Sequence, residues 1–594
     1  MLDRSNQWLA DHPRWAGAIL FLTTYLVFQG SLSGQFVFDD VPQVLNNPFV
    51  KNPRYFANIF LGSVWSFRGA GEHDNFYRPL QFVVYWLLYR VAGPNPALFH
   101  LFQLLSCAAT VWLVYLLGRE LFQNRVAAFA GALLWALHPQ HVETVAWISA
   151  LPDAGMTFFY VSGFYLFLKA ERAGRDKGRR NVLAALAYFP ALFFKETALS
   201  FPILILVYWF FFPSESSWRQ RTLRWLPHLG AAVTYVAIRM SALGSFSQAP
   251  QSFRPTVRMV EGAVTLLGQH ARLFFWPFHL SAFRTFDLAS SLHSPWPWLT
   301  LVALLAALAL RRRQPLPAFL VAWWVLTLLP CLDVRLVGFP LADRFSYLPS
   351  VGLCLALAYA GLVLLRAHWP HPEVAWAAVA ALISVLILWG VKDILQVRTW
   401  HSNEVLWTYS VQASPNAALP HLFQATLFRL RDGNLEGAKR EYETALRLNQ
   451  SSARPLVGIA YECYLGLGQV ALLKGRTKEA IDYFEEARQI APSHSPAYKA
   501  LGAVFFPQAD YATAERYFQQ AVKLDPQDLE ARFFLGTCLL KLGQPLQAAE
   551  QFRAARRVDP TYFQAFEAEA RALDAAGEHA EATKVRNMVR KRRP

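Results

Sequence analysis

TKEAIDYFEEARQIAP, residues Thr477–Pro492, decides the fold of the last third of the chain. Moved on by 34 residues the same frame reads YATAERYFQQAVKLDP (Tyr511–Pro526), and by 34 more PLQAAEQFRAARRVDP (Pro545–Pro560). Ala480, Ala514 and Ala548 share a column that Ala582 extends; Phe484, Phe518 and Phe552 form a second. Ala487, Ala521 and Ala555, then Pro492, Pro526 and Pro560, then Gly468, Gly502 and Gly536 form three more. Small residues where two helices cross, an aromatic beside them and proline at the turn predict stacked helix pairs. An upstream unit, Gly437-Ala438 with Tyr442 and Ala445, stands 42 residues before its counterpart, so an insertion of eight lengthens that repeat.

This period is the tetratricopeptide signature, which predicts a concave peptide-binding solenoid, with a spacer or dimerisation module as the alternative. Working outward, the rest of the chain is different in kind. Of 594 residues 54% are apolar, and the apolar weight lies before about Lys392. The formal charge is +16, from 57 Lys and Arg against 41 Asp and Glu. Its cations collect between apolar runs, as at Arg119 and Arg125, Arg219 and Arg221, and Arg311 to Arg313, which is the pattern of cytoplasmic loops rather than of a nucleic-acid surface. Five scattered cysteines imply neither a disulfide framework nor a zinc site.

The expected fold is therefore all-α: a polytopic membrane helical bundle followed by the tetratricopeptide-repeat solenoid. About eleven spans are expected, near residues 15–29, 99–117, 126–137, 158–168, 182–194, 201–212, 229–238, 298–310, 317–329, 351–365 and 376–391. Residues 79–88 are read as a surface helix and 259–280 as re-entrant or interfacial. The boundaries are 1–395 for the membrane domain, with a first outer loop over 31–96, then 396–415 as linker and 416–594 for the repeats. Arg4 and Arg14 hold the N-terminus inside, so the first loop and everything after Lys392 lie outside. That side is the periplasm if the membrane is a bacterial inner membrane, and the lumen if it is that of the endoplasmic reticulum.

Asp39 and Asp40 follow the first span directly, and carboxylates at a membrane boundary pair, face a wet cavity or do chemistry. A solvated acidic loop is the plainer alternative. The alternation of spans puts His138, His141, Glu143, Lys195 and Glu196 at outer ends as well, and Arg78 and Arg344 in outer loops. One cavity receiving them all would unite a proton acceptor with cationic anchors for a phosphate. A lipid-phosphate-linked sugar needs both, because its leaving group is an acidic phosphate while the attacking hydroxyl needs a base. The plain alternatives are local neutralisation of Lys195 by Glu196 and of Arg344 by Asp343, or, for His138, His141 and Glu143, a metal of non-standard spacing. No metal or other cofactor is expected. There is no nucleophile elbow, Walker loop or dinucleotide fingerprint.

Phe38-Asp39-Asp40 with Asn46-Asn47-Pro48, Tyr77-Arg78-Pro79-Leu80, His138-Pro139-Gln140-His141-Val142-Glu143, Lys195-Glu196-Thr197 and Asp343 to Ser350 resemble, in that order, the motifs of the transmembrane and tetratricopeptide-repeat-containing family. That family belongs to the glycosyltransferase-C superfamily and includes protein O-mannosyltransferases. The resemblance implies a transferase that moves a sugar, with mannose the candidate, from a polyprenyl- or dolichyl-phosphate carrier to a protein Ser/Thr hydroxyl with inversion. Asp39 is then the base with Asp40 as neighbour or substitute, Arg78 and Arg344 suit the donor phosphate with Lys195 a weaker candidate, and the repeats hold the acceptor polypeptide. His138, His141, Glu143 and Glu196 would line the acceptor side of the cavity. Leu151 stands where the family often has a basic residue, and Asp343 where it usually has Glu. The competing expectation is a non-enzymatic, membrane-anchored adaptor for envelope assembly.

Overall fold

The computed structural model describes residues 2–68, 75–173, 176–213, 216–244, 257–332, 339–367, 372–452 and 455–590. They form two compact units, one within residues 1–415 and one within 416–594. The described residues are helical or irregular, with no strand among them.

Each of the eleven apolar runs coincides with one helix: α1 Pro13–Phe28, α2 Pro96–Phe122, α3 Arg125–Ala136, α4 Leu151–Glu171, α5 Lys177–Phe194, α6 Phe201–Phe211, α7 Trp218–Leu243, α8 Pro295–Leu310, α9 Pro315–Leu328, α10 Ser350–Ala367 and α11 Pro372–Val397. Among the described residues four stretches are long and apolar enough to cross a bilayer, Pro13–Ser33, Pro96–Phe122, Ser350–Ala367 and Trp376–Trp400. Proline opens α1, α2, α8 and α9, where its missing N–H costs nothing. The helices α4 and α5 meet closely because Gly163 faces Tyr188; a Cβ there would stand 2.7 Å from that of the tyrosine.

The structure adds to two expectations. The helix Pro79–Ala92 packs into the bundle by a polar face one turn apart: Gln81 donates to Gln43 Oε1 at 2.6 Å and Tyr85 to the Ile148 carbonyl at 3.0 Å. The helix read as lying at the surface is thereby held to the first loop. Residues 396–415 are no slack linker either. The helix Asn403–Ala413 buries Leu406 and Trp407, and Tyr409 donates to the Leu280 carbonyl at 2.9 Å, which fastens it to the first unit.

The second unit is a run of helix pairs: α12 Ala418–Leu430 with α13 Leu435–Ser451, α14 Val457–Leu473 with α15 Thr477–Ile490, α16 Ser495–Phe505 with α17 Tyr511–Leu524, α18 Leu529–Lys541 with α19 Pro545–Val558, and α20 Phe563–Ala575 with α21 His579–Arg590. The glycine column is a close approach: a Cβ on Gly468 would fall 2.4 Å from the Phe484 ring, and on Gly536 2.8 Å from Phe552. The insertion of eight lies at the junction of α13 and α14, both of 17 residues, where the next three second helices have 14 and the later first helices 11 to 13.

Candidate active site

The loops at one end of the first unit are tied to one another by polar side chains, and Asp39 and Asp40 sit in that network with opposite fates. Phe38 has φ of +50°, a left-handed backbone that a non-glycine residue seldom adopts. Its N–H donates to Asn403 Oδ1 at 2.8 Å, and its ring stacks on Trp147 at 5.7 Å and meets Trp407 edge-on at 5.2 Å. Beyond this reversal the Asp40 carboxylate is wholly buried, accepting from Val37 N at 3.0 Å, Ser149 N at 2.7 Å and Ser149 Oγ at 2.5 Å. Burial nonetheless pushes Asp40 up to about 7. Asp39 stays half-exposed, and its charge is felt at the Arg344 guanidinium. The expectation that Asp40 could stand in for Asp39 therefore fails on geometry: its oxygens are spent on the loop's own donors and are closed to a substrate.

The pairing within the charged motifs also differs from the sequence reading. Lys195 does not neutralise Glu196; its Nζ lies 2.6 Å from Asp153 Oδ1, both side chains nearly enclosed. Glu196 takes Arg78 through two bonds, Nε at 3.1 Å and Nη2 at 2.6 Å, at a largely buried position. Arg344 pairs with buried Glu143, whose carboxylate also accepts from the Arg344 backbone N–H at 3.1 Å. Asp343 turns the other way, to Arg284 at 2.8 Å, and burial raises it to about 6. Neighbours in sequence face opposite directions because Asp343–Ser346 is a tight 3-10 turn and Lys195 is extended ahead of a 3-10 turn at Glu196–Ser200. The Phe345 ring lies between two of the cations, 4.8 Å from Lys195 and 4.9 Å from Arg344. Lys195 is thereby committed to Asp153 and Phe345.

His138 and His141 are drawn into the packed interior, away from the expected shared cavity. Both are fully buried; the His138 ring stacks on Phe274 at 4.6 Å with Nε2 3.1 Å from the Phe274 carbonyl, and His141 Nε2 lies 2.8 Å from Ser350 Oγ. Burial holds His138 down at about 3, a neutral packing residue. Glu143 and Glu196 act in this structure as counter-charges. Phe274 and Trp389, whose rings pack against His138, also line an apolar groove of about 1050 Å³ between α3, α10 and α11. Asn403, Ser149 and Arg284 escaped the sequence reading, because each is a lone polar residue in no motif and finds its partner at a distance of 365, 109 and 59 residues.

These features define a class: an integral membrane protein whose helical bundle gathers carboxylates and arginines at one end, followed by a tetratricopeptide solenoid. Residues 77–242 match the dolichyl-phosphate-mannose-protein mannosyltransferase family, and residues 429–495 and 507–570 match tetratricopeptide repeats. The chain is related to proteins named protein O-mannosyl-transferase, as the sequence resemblance implied. It is 26% identical over 502 residues to Protein O-mannosyl-transferase TMTC1 of Homo sapiens, covering 75% of this chain and 56% of that protein. With Protein O-mannosyl-transferase F38B6.6 of Caenorhabditis elegans it shares 25% over 452 residues, 73% of this chain and 62% of that one. The chain thus spans about 56% to 62% of the length of these relatives. Among solved structures, YrrB, described as a TPR protein with an unusual peptide-binding site, is 29% identical over 31% of this chain and 89% of its own, at a TM-score of 0.26. The mannosyltransferase match includes Arg78, Glu143, Lys195 and Glu196 and ends before Arg344.

Proposed function

We propose that the first unit transfers mannose from a polyprenyl- or dolichyl-phosphate carrier to a Ser/Thr hydroxyl of a polypeptide held by the repeats. The observation that carries this is the divergence of the two carboxylates: Asp40 is wholly buried and anchors the loop, while Asp39 is partly exposed and its charge is felt at the Arg344 guanidinium. In the reaction Asp39 takes the proton from the acceptor hydroxyl, whose oxygen attacks the anomeric carbon from the face opposite the phosphate. The bond from that carbon to the phosphate oxygen breaks, and the anomeric centre inverts. The departing phosphate keeps the electron pair, so it needs cations and no general acid. Arg78 and Arg344 suit this although each already holds a carboxylate, since a guanidinium carries five N–H donors and the Arg78–Glu196 fork engages only Nε and Nη2. The apolar groove beside His138 gives the carrier's hydrocarbon a place next to the same loops.

Asp39→Asn keeps the shape and removes the base, so transfer from a mannosyl-phosphate polyprenol to a serine peptide should fall by about 10²–10⁴-fold with folding intact. Activity within a few-fold of wild type would defeat this assignment. A network in which the cations are already paired also fits the adaptor reading. That reading requires wild type itself to show no transfer.

A further inference from the structure

The 34-residue frame reveals one step at which the solenoid departs from itself. Two columns fill the groove between consecutive second helices. The first-helix column runs Tyr464, Tyr498, Arg532, Phe566, and the second-helix column Tyr483, Tyr517, Gln551, Val585. Aromatic or aliphatic residues hold three of the four steps, and arginine with glutamine holds the third.

The consequence is visible by comparing grooves. Between α15 and α17 the Tyr517 hydroxyl donates to Glu485 Oε1 at 2.8 Å, so the two second helices are tied together across the gap. The Tyr517 ring stacks on Phe505 at 5.8 Å, and Tyr498 donates to the Pro492 carbonyl at 3.0 Å. In the groove between α19 and α21, Phe566 and Val585 are buried. Between α17 and α19 the register is kept but the filling is lost. Arg532 Nε donates to the Pro526 carbonyl at 2.8 Å, the same acceptor as in the repeat before, and Nη1 reaches Gln551 Oε1 at 3.2 Å. Leu539 stands at the Phe505 position. What remains is a slot of about 830 Å³ with Gln519, Gln520 and Lys523 on one wall, Gln547 on the other, and Leu535 and Leu539 at its base. An unfilled groove forfeits the dispersion contacts that its neighbours keep.

We propose that this slot binds an extended polypeptide segment carrying a carboxylate side chain. Each glutamine amide offers a donor and an acceptor, the complement of a peptide backbone. Arg516, Lys523 and Arg532 outnumber Glu515 and Glu550 on the walls, which favours an anionic side chain over a cationic one. Arg532 gains most, because partial burial strips hydration from its guanidinium and pulls its pKa down, a cost that a carboxylate partner would offset. The inference deepens the reading that the repeats hold a polypeptide, giving the place and the chemistry, and is independent of the transfer step.

The test titrates the full chain in lipid nanodiscs, at low salt, against a fluorescein-labelled peptide of alternating serine and glutamate and against its serine–lysine counterpart. A variant carrying Arg532→Tyr, Leu539→Phe and Gln551→Tyr restores the filling of the preceding groove. It should melt at or above the wild-type temperature by circular dichroism. The acidic peptide should bind wild type better than the basic one, and the filled variant should lose at least about tenfold in affinity, the equivalent of one charged hydrogen bond. Equal affinity of the two proteins, no preference for the acidic peptide, or no binding to wild type overturns the inference. Mannosyl transfer measured on the same preparations keeps the two readings apart: slot-dependent binding without any transfer removes the transferase and leaves the slot, and Asp39-dependent transfer without slot-dependent binding does the reverse.

Discussion

At the scale of single residues the site turns on how Phe38 is held. A left-handed backbone costs a non-glycine residue roughly 1–2 kcal/mol, and the bond from Phe38 N–H to Asn403 together with its ring contacts offsets that cost. Asn403 is thus expected to position Asp39. Asn403→Leu removes the acceptor and should lower kcat for transfer with little change in KM for the donor, while Asn403→Asp keeps an acceptor oxygen and should recover most of the rate. Hydrogen exchange at the Phe38 amide gives an independent readout, fast in the leucine variant and slow in the aspartate one; unchanged exchange in both would rule the clamp out. Asp40 supplies a pH signature. Because burial raises it from 3.8 to about 7, its contribution to stability is complete below the ordinary value and is lost as pH rises through about 7. Asp40→Asn cannot ionise, so the melting temperature of wild type relative to this variant should fall as pH rises from about 5 to about 8. Parallel curves would contradict the assignment.

At the scale of elements, the glycine columns separate close packing from mere helix preference. Gly458 and Gly468 share α14, yet a Cβ on Gly458 would meet nothing within 4 Å and one on Gly468 would enter the Phe484 ring. Gly458→Ala should leave the melt unchanged or raise stability by up to about 1 kcal/mol, from helix propensity alone. Gly468→Ala should lower it by about 1–3 kcal/mol, measured by denaturation followed by circular dichroism. This also explains what could be read from the sequence. Eleven apolar runs and a 34-residue period are local patterns repeated many times, and each run lies on one helix of the structure. The pairing of Lys195 with Asp153, or of Glu143 with Arg344, is a single long-range event set by where tight turns point neighbouring side chains. Sequence adjacency suggested Lys195–Glu196 and Asp343–Arg344 because nothing local distinguishes the true partners. The same reasoning accounts for the two histidines: a motif shows that they lie together and carries no sign that Phe274 and Ser350 enclose them.

At the scale of the whole molecule, the proposed reaction requires Asp39 and the repeats on one side of the membrane and the basic turns on the other. The five native cysteines suit a direct measurement, since all are buried, with at most 6% exposure. Native protein should therefore react little with a membrane-impermeant maleimide, and single added cysteines report their own side. Leu61, 68% exposed in the first loop, and Lys541, exposed at the end of α18, belong to the outer side if the positive-inside rule governs; exposed Arg312 belongs to the inner side. Leu61→Cys and Lys541→Cys should label in intact cells or right-side-out vesicles, whereas Arg312→Cys should label only after permeabilisation. Labelling of Leu61→Cys without Lys541→Cys would leave the base outside and separate the repeats from it, which excludes them as the holder of the acceptor. Labelling of Arg312→Cys alone would invert the bundle, and Asp39 would then need a donor presented from the opposite leaflet. On the proposed reaction, the orientation of the bundle thus decides which lipid-linked sugar, and which population of polypeptides, Asp39 can meet.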